Sequence, residues 1–154
     1  MSYKNGNMKT IELHENGLDI QFRIRENGVV ELADFSSQEV KKAAMEPKED
    51  IYYPAVEIHR SGTGSLNMHA YKNNINQSSV DFVYENHELK EQEGGKELEI
   101  VMVSPEKLKA VYHMRLFDGI PAVQTWTEIT NEGSEEQGLT HVSSFIYQGI
   151  SRGG

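Results

Sequence analysis

Hydrophobic and polar residues alternate along much of this chain, most plainly between Leu108 and Leu116. Leu108, Ala110, Tyr112, Met114 and Leu116 fall on one side there, and Lys109, Val111, His113 and Arg115 on the other. Successive side chains of a strand point to opposite faces, so this spacing predicts a strand with one face on a core. Asp118-Gly119 and Pro121 are expected to break the chain. Val123, Thr125, Thr127 and Ile129 then share one face of a second strand, with Ala122, Gln124, Trp126 and Glu128 on the other. Asn131-Glu132-Gly133-Ser134 supplies turn chemistry, and Leu139 to Ile146 resumes the alternation. The stretch predicts a strand–turn–strand–turn–strand meander.

The amino-terminal half reads in the same way. Thr10 to Leu13 fits a short strand, and a turn follows at Glu15-Asn16-Gly17. Leu18, Ile20, Phe22 and Ile24 alternate with Asp19, Gln21, Arg23 and Arg25. Asn27-Gly28 then supplies a hairpin turn and Val29 to Phe35 returns, because both residues tolerate the positive φ that tight hairpins need. Ala55 to Arg60 predicts a further strand, and Val80 to Lys90 with Lys96 to Val103 a hairpin around Gly94-Gly95. Between these, Ser36 to Tyr53 and Ser61 to Ser79 carry no period; Glu39 to Met45 has room for a helical turn or two before Pro47. Eight or nine strands without a long helix predict an all-β chain, an antiparallel two-layer β-sandwich of supersandwich-like form. A length of 154 residues suits a single domain spanning 1–154.

Composition narrows the function classes. A formal net charge of −9 argues against nucleic acid and against anionic membranes, both of which call for basic surfaces. No apolar run approaches the ~18 residues of a membrane-spanning helix, and the opening MSYKNGNMKT has no apolar signal-peptide centre. The absence of cysteine removes disulfides and thiolate metal sites, and a cytoplasmic location fits that usage.

In the meander, Val123, Thr125, Ile129, Asn131 and Gly133 stand in the order V-x-T-x-x-x-I-x-N-x-G, followed by the small-residue strand LTHVSSF. With Tyr53-Pro54-Ala55-Val56-Glu57 and the hairpin near Gly28 upstream, this arrangement resembles the amino-terminal β-sandwich domain of glycoside hydrolase family 36, the melibiase-like α-galactosidases. The resemblance implies an accessory domain of a longer enzyme, non-catalytic by itself. It also implies the catalytic barrel of the same polypeptide as partner, a homo-oligomer, and α-galactoside sugars bound through the full enzyme, with no cofactor. The family's catalytic aspartates come from barrel strands, and no βα repeat here offers a counterpart. The end of the chain, Gln148 to Gly154, offers no closing element, so the chain is expected to be an amino-terminal fragment.

Six histidines, at 14, 59, 69, 87, 113 and 141, show neither H-x-x-x-H nor H-E-x-x-H spacing, so the sequence carries no metal motif. Glu97 and Glu99 share a strand face and are expected on a solvated side. The resemblance places the Ser36–Tyr53 connection at the edge of a sugar site, where Glu49, Asp50, Tyr52 and Tyr53 would supply hydroxyl acceptors and stacking faces. Trp126, on a mixed polar face, is the other candidate for contact with sugar or a neighbouring domain. Two other classes stay open: a free-standing carbohydrate-binding module, which needs a row of exposed aromatics, and a mutarotase-like enzyme working through a histidine acid and a glutamate base.

Overall fold

The computed structural model describes residues 8–38, 46–47, 51–62 and 77–147. Within them the chain forms strands β1 (Lys9–Glu15), β2 (Leu18–Ile24), β3 (Val30–Ser37) and β4 (Ile58–Arg60), a helical turn α1 (Gln77–Val80), and strands β5 (Val83–Gln92), β6 (Gly95–Val103), β7 (Leu108–Phe117), β8 (Ile120–Asn131) and β9 (Leu139–Val142). All strand pairs are antiparallel: a three-stranded sheet β1-β2-β3, a four-stranded sheet β5-β6-β7-β8, and a small pair β4-β9. No helix among the described residues is long and apolar enough to cross a membrane.

The two larger sheets face each other over one core, which makes the fold an all-β sandwich. Ile11, Leu13, Leu18, Ile20, Phe22, Ile24, Val30 and Leu32 come from one layer, and Leu98, Ile100, Met102, Leu108, Ala110, Tyr112, Met114 and Leu116 from the other. These are the residues that the period-two pattern places inward. At the centre the Phe22 and Tyr112 rings meet edge-on, with centroids 5.7 Å apart. The hairpins are set by their turn residues. Asn16 and Gly17 both take positive φ, and the Asn16 side chain accepts a hydrogen bond from the Gly119 amide at 2.8 Å, tying the β1–β2 turn to the β7–β8 turn.

Several boundaries differ from the sequence pattern, each for a local reason. The strand expected from Val80 begins at Val83, because Gln77–Val80 winds into a helical turn whose buried serines serve β4. The Ser79 hydroxyl accepts from the Ile58 amide at 2.9 Å, and the Ser78 hydroxyl donates to the Ile58 carbonyl at 2.6 Å. The strand expected from Ala55 begins at Ile58, since Ala55 and Val56 are both buried at a bend where alternation fails. The strand expected to Ile146 stops at Val142: the Ser143 hydroxyl takes the Glu57 amide at 2.8 Å in place of a carbonyl, and the chain turns away. Pro121 does not break the chain. It lies inside β8 at a register irregularity, where Pro121 and Ala122 have no ladder partner on β7. Ser36 and Ser37, expected in the connection, still belong to β3.

Candidate functional site

The outer face of the four-stranded sheet gathers polar residues from all four strands, and the register decides which of them meet. His113 in β7 lies opposite Glu99 of β6 on one side and opposite Trp126 of β8 on the other. Glu97, two residues before Glu99, shares that face, and its partner on β5 is Lys90. Glu128, two residues beyond Trp126, completes the group.

Geometry makes a tight cluster of these residues. The imidazole of His113 stacks on the Trp126 indole with centroids 4.6 Å apart and planes within 5° of parallel. His113 Nδ1 lies 2.9 Å from Glu97 Oε1 and 3.8 Å from Glu99 Oε1. On the opposite side of the ring, Nε2 faces Glu128 Oε1 at 3.7 Å, beyond hydrogen-bond reach, and is buried without a partner. The Trp126 indole N–H donates to that same Glu128 oxygen at 3.3 Å. Outer oxygens of the two inner carboxylates are also engaged: Lys90 Nζ reaches Glu99 Oε2 at 2.6 Å, and the Gln92 amide donates to Glu97 Oε2 at 2.8 Å. Hydrogen bonding and charge from Glu99 hold the Lys90 ammonium above its ordinary pKa, partial desolvation opposing them.

Burial is the surprise at this site. The side chains of His113 and Glu97 are only 8% and 9% exposed although both point away from the core. The expectation of a solvated side for the Glu97/Glu99 pair is therefore corrected: Glu97 is buried and Glu99 half-buried, under a cover of Trp126, Lys90 and Gln92. Among the described residues, Glu97, Glu99 and His113 form a group whose potential ligand atoms lie within 4.8 Å of one another. Motif spacing along the chain misses it, because the three come from neighbouring strands. The one signal available was Glu-x-Glu on a strand face, followed by a polar-face histidine on the next strand.

The residues assigned to the sugar site from the sequence separate into two places. Glu49 and Asp50 lie outside the described residues. Tyr52 and Tyr53 are half-buried beside β3, on the outer face of the other sheet, where a second polar cluster holds them. Glu31 is fully buried there, with Arg25 Nη1 at 2.9 Å and Arg23 Nη1 at 3.4 Å. Its Oε1 also accepts the Tyr53 amide at 3.0 Å, and the Arg25 guanidinium lies over the Tyr52 ring at 4.8 Å. Trp126 is half-buried in the His113 cluster on the opposite layer. The structure does not bring Trp126 together with Tyr52 or Tyr53: they stand on the outer faces of two different sheets.

The residues that carry the family resemblance have plain structural work. Val123 and Ile129 pack against the core, and Thr125 is hydrogen-bonded to the buried Tyr112 side chain. Asn131 closes the turn after β8, accepting from the Gly133 amide at 3.0 Å and donating to the Glu135 carbonyl at 2.8 Å. A Cβ on Gly133 would stand 2.5 Å from the Glu106 carbonyl oxygen, which explains glycine at that position. No protein-family model matches the chain, and a search of curated proteins finds no match.

Proposed function

We propose that this β-sandwich is a non-catalytic accessory domain of an α-galactosidase-like glycoside hydrolase, packing against a catalytic barrel and lending an edge to its sugar site. The observation that carries this reading is the fit between motif and fold. The V-x-T-x-x-x-I-x-N-x-G run is an edge strand with its apolar residues inward and an asparagine-closed turn behind it, as the resemblance requires of a sandwich domain. The state of the carboxylates supports it further. A pair that cleaves a glycoside must stand about 5–9 Å apart on either side of an open sugar ring. Glu97 and Glu99 instead crowd one histidine and are engaged by Gln92 and Lys90. The Arg23–Glu31–Arg25 cluster fixes Ile51 to Tyr53, the last residues of the connection assigned to the sugar site. A cytoplasmic homo-oligomer belongs to the same proposal.

Kinetics test it. The 154-residue chain is expected to leave an aryl α-galactoside intact, and the full-length polypeptide to hydrolyse it. In that polypeptide Asp50→Ala should lower kcat/KM for raffinose-type oligosaccharides more than for the aryl substrate, because the connection would meet the leaving-group sugar. Turnover by the purified chain that a single Asp or Glu substitution abolishes would overturn the reading. A second reading, mutarotase-like chemistry, draws on the His113–Glu97 pair at 2.9 Å. It stands second because the Trp126 indole stacks on and covers one face of the His113 ring. Polarimetry of freshly dissolved galactose with the purified chain separates the two.

A further inference from the structure

We propose that Glu97, Glu99 and His113 form a site for a divalent transition-metal cation, with Glu128 holding the far side of the histidine. The starting point is geometry: one ligand atom each from Glu97, Glu99 and His113 lies within 4.8 Å of the others, on residues that are buried or half-buried. A carboxylate only accepts hydrogen bonds, so the 2.9 Å contact between Nδ1 and Glu97 places a proton on Nδ1. In the neutral ring Nε2 is then a bare lone pair, buried and 3.7 Å from another acceptor, the Glu128 carboxylate. In the doubly protonated ring Nε2 carries a proton and meets Glu128 only as an ion pair at 3.7 Å. The remaining tautomer, protonated on Nε2 alone, points the Nδ1 lone pair at two carboxylates. A cation between Nδ1 and those carboxylates makes that arrangement favourable.

With a cation there, each group has a role. Nδ1, Glu97 Oε1 and Glu99 Oε1 face one another at 2.9 and 3.8 Å from the nitrogen, close to the donor–donor spacing that metal bonds of about 2.1 Å require. Nε2 then bears the proton and faces the Glu128 carboxylate at 3.7 Å, a countercharge on the outer side of the ring. Glu128 is itself held by the Trp126 indole N–H, and the stacked indole fixes the plane of the ring. Lys90 and Gln92 occupy the outer oxygens of Glu99 and Glu97, leaving the two inner oxygens for the ion. One nitrogen and two carboxylate oxygens suit zinc or manganese better than calcium, which prefers six or more oxygens. Three protein ligands leave at least one position for water or an exchangeable ligand.

Trp126 is the sole tryptophan of the chain and lies against the proposed ligand, so its emission reports this site and no other. The experiment titrates the 154-residue chain with zinc chloride, reading Trp126 fluorescence and calorimetric stoichiometry together. The expected result is one saturable equivalent, with the emission change following the heat. His113→Gln and Glu99→Gln should each weaken binding at least tenfold, and Glu128→Gln about tenfold through the outer contact. His59→Gln serves as the control, since the His59 and His141 rings lie tilted at 5.1 Å beside Glu57 and form another histidine pair among the described residues. Its affinity should match the unmodified chain. If His113→Gln fails to give the native far-ultraviolet dichroism, the Glu99→Gln comparison decides. The proposal is overturned by no saturable binding at 100 equivalents of zinc, by binding that survives Glu99→Gln unchanged, or by binding that disappears with His59→Gln.

Discussion

The sandwich carries two buried polar clusters, one on the outer face of each large sheet, and they are finished differently. On the three-stranded sheet Glu31 sits between Arg23 and Arg25, and the backbone from Ile51 to Ala55 lies along β3. Both of its oxygens have partners, supplied partly by backbone that the fold cannot easily move. On the four-stranded sheet His113 sits between Glu97, Glu99 and Glu128 under a cover made only of side chains, and one ring nitrogen is left without a partner. A satisfied buried cluster stabilises a structure, whereas an incomplete one costs free energy until something completes it. The first cluster therefore reads as an anchor for the connection leading to Tyr53, and the second as a place built to receive something.

That contrast is tested most strongly by making the same change in both. Glu31→Gln removes the buried carboxylate that Arg23 and Arg25 share and should cost about 3–5 kcal/mol in urea unfolding. Glu97→Gln keeps an acceptor for His113 and removes a charge from a crowded acidic group, so its cost should be about 1 kcal/mol or less. Equal losses would break the distinction.

Alkaline unfolding probes the core between the clusters. Burial pushes the Tyr112 hydroxyl well above the ordinary tyrosine range, against a smaller downward pull from its hydrogen bond with Thr125. The unfolded chain ionises this group from about pH 10, while the folded chain keeps it neutral. Its stabilising contribution is thus complete below about pH 10 and is lost as pH rises beyond that. Tyr112→Phe should flatten the decline measured by thermal unfolding between about pH 9 and 11. A decline of unchanged steepness would remove Tyr112 as its source.

Two smaller effects sharpen the comparison on the four-stranded sheet. Trp126→Leu removes the stacked cover and should cost about 1 kcal/mol while leaving the Arg23–Glu31–Arg25 cluster undisturbed. Lys90→Gln removes a competing positive charge 2.6 Å from Glu99 and should tighten zinc binding roughly threefold. Weaker binding in that variant would mean that Lys90 orients Glu99 rather than competing for it.

The sandwich and its core were legible in the sequence because alternation specifies which face of a strand is buried. Phe22, Tyr112, Met114 and Leu116 all stand where their parity puts them. Parity also placed Glu97 and His113 outward, and they do point outward, as Glu31 does on the other sheet. Their burial was not legible, because it depends on what covers the outer face. For Glu31 the cover is a stretch more than twenty positions along the chain, and for His113 it is the register that sets Trp126 beside it. Strand ends failed for a related reason: the hydroxyls of Ser79 and Ser143 replace ladder partners, and hydropathy does not record such exchanges.

The most direct test is the tautomer of His113, read by nuclear magnetic resonance of the imidazole nitrogens in 15N-labelled protein. Without added metal, Nδ1 should carry a proton, bound to Glu97. With one equivalent of zinc, Nδ1 should show metal coordination and the proton should reside on Nε2, facing Glu128. A ring that keeps its Nδ1 proton at saturating zinc would contradict the account and leave His113 as one more buried ion-pair histidine.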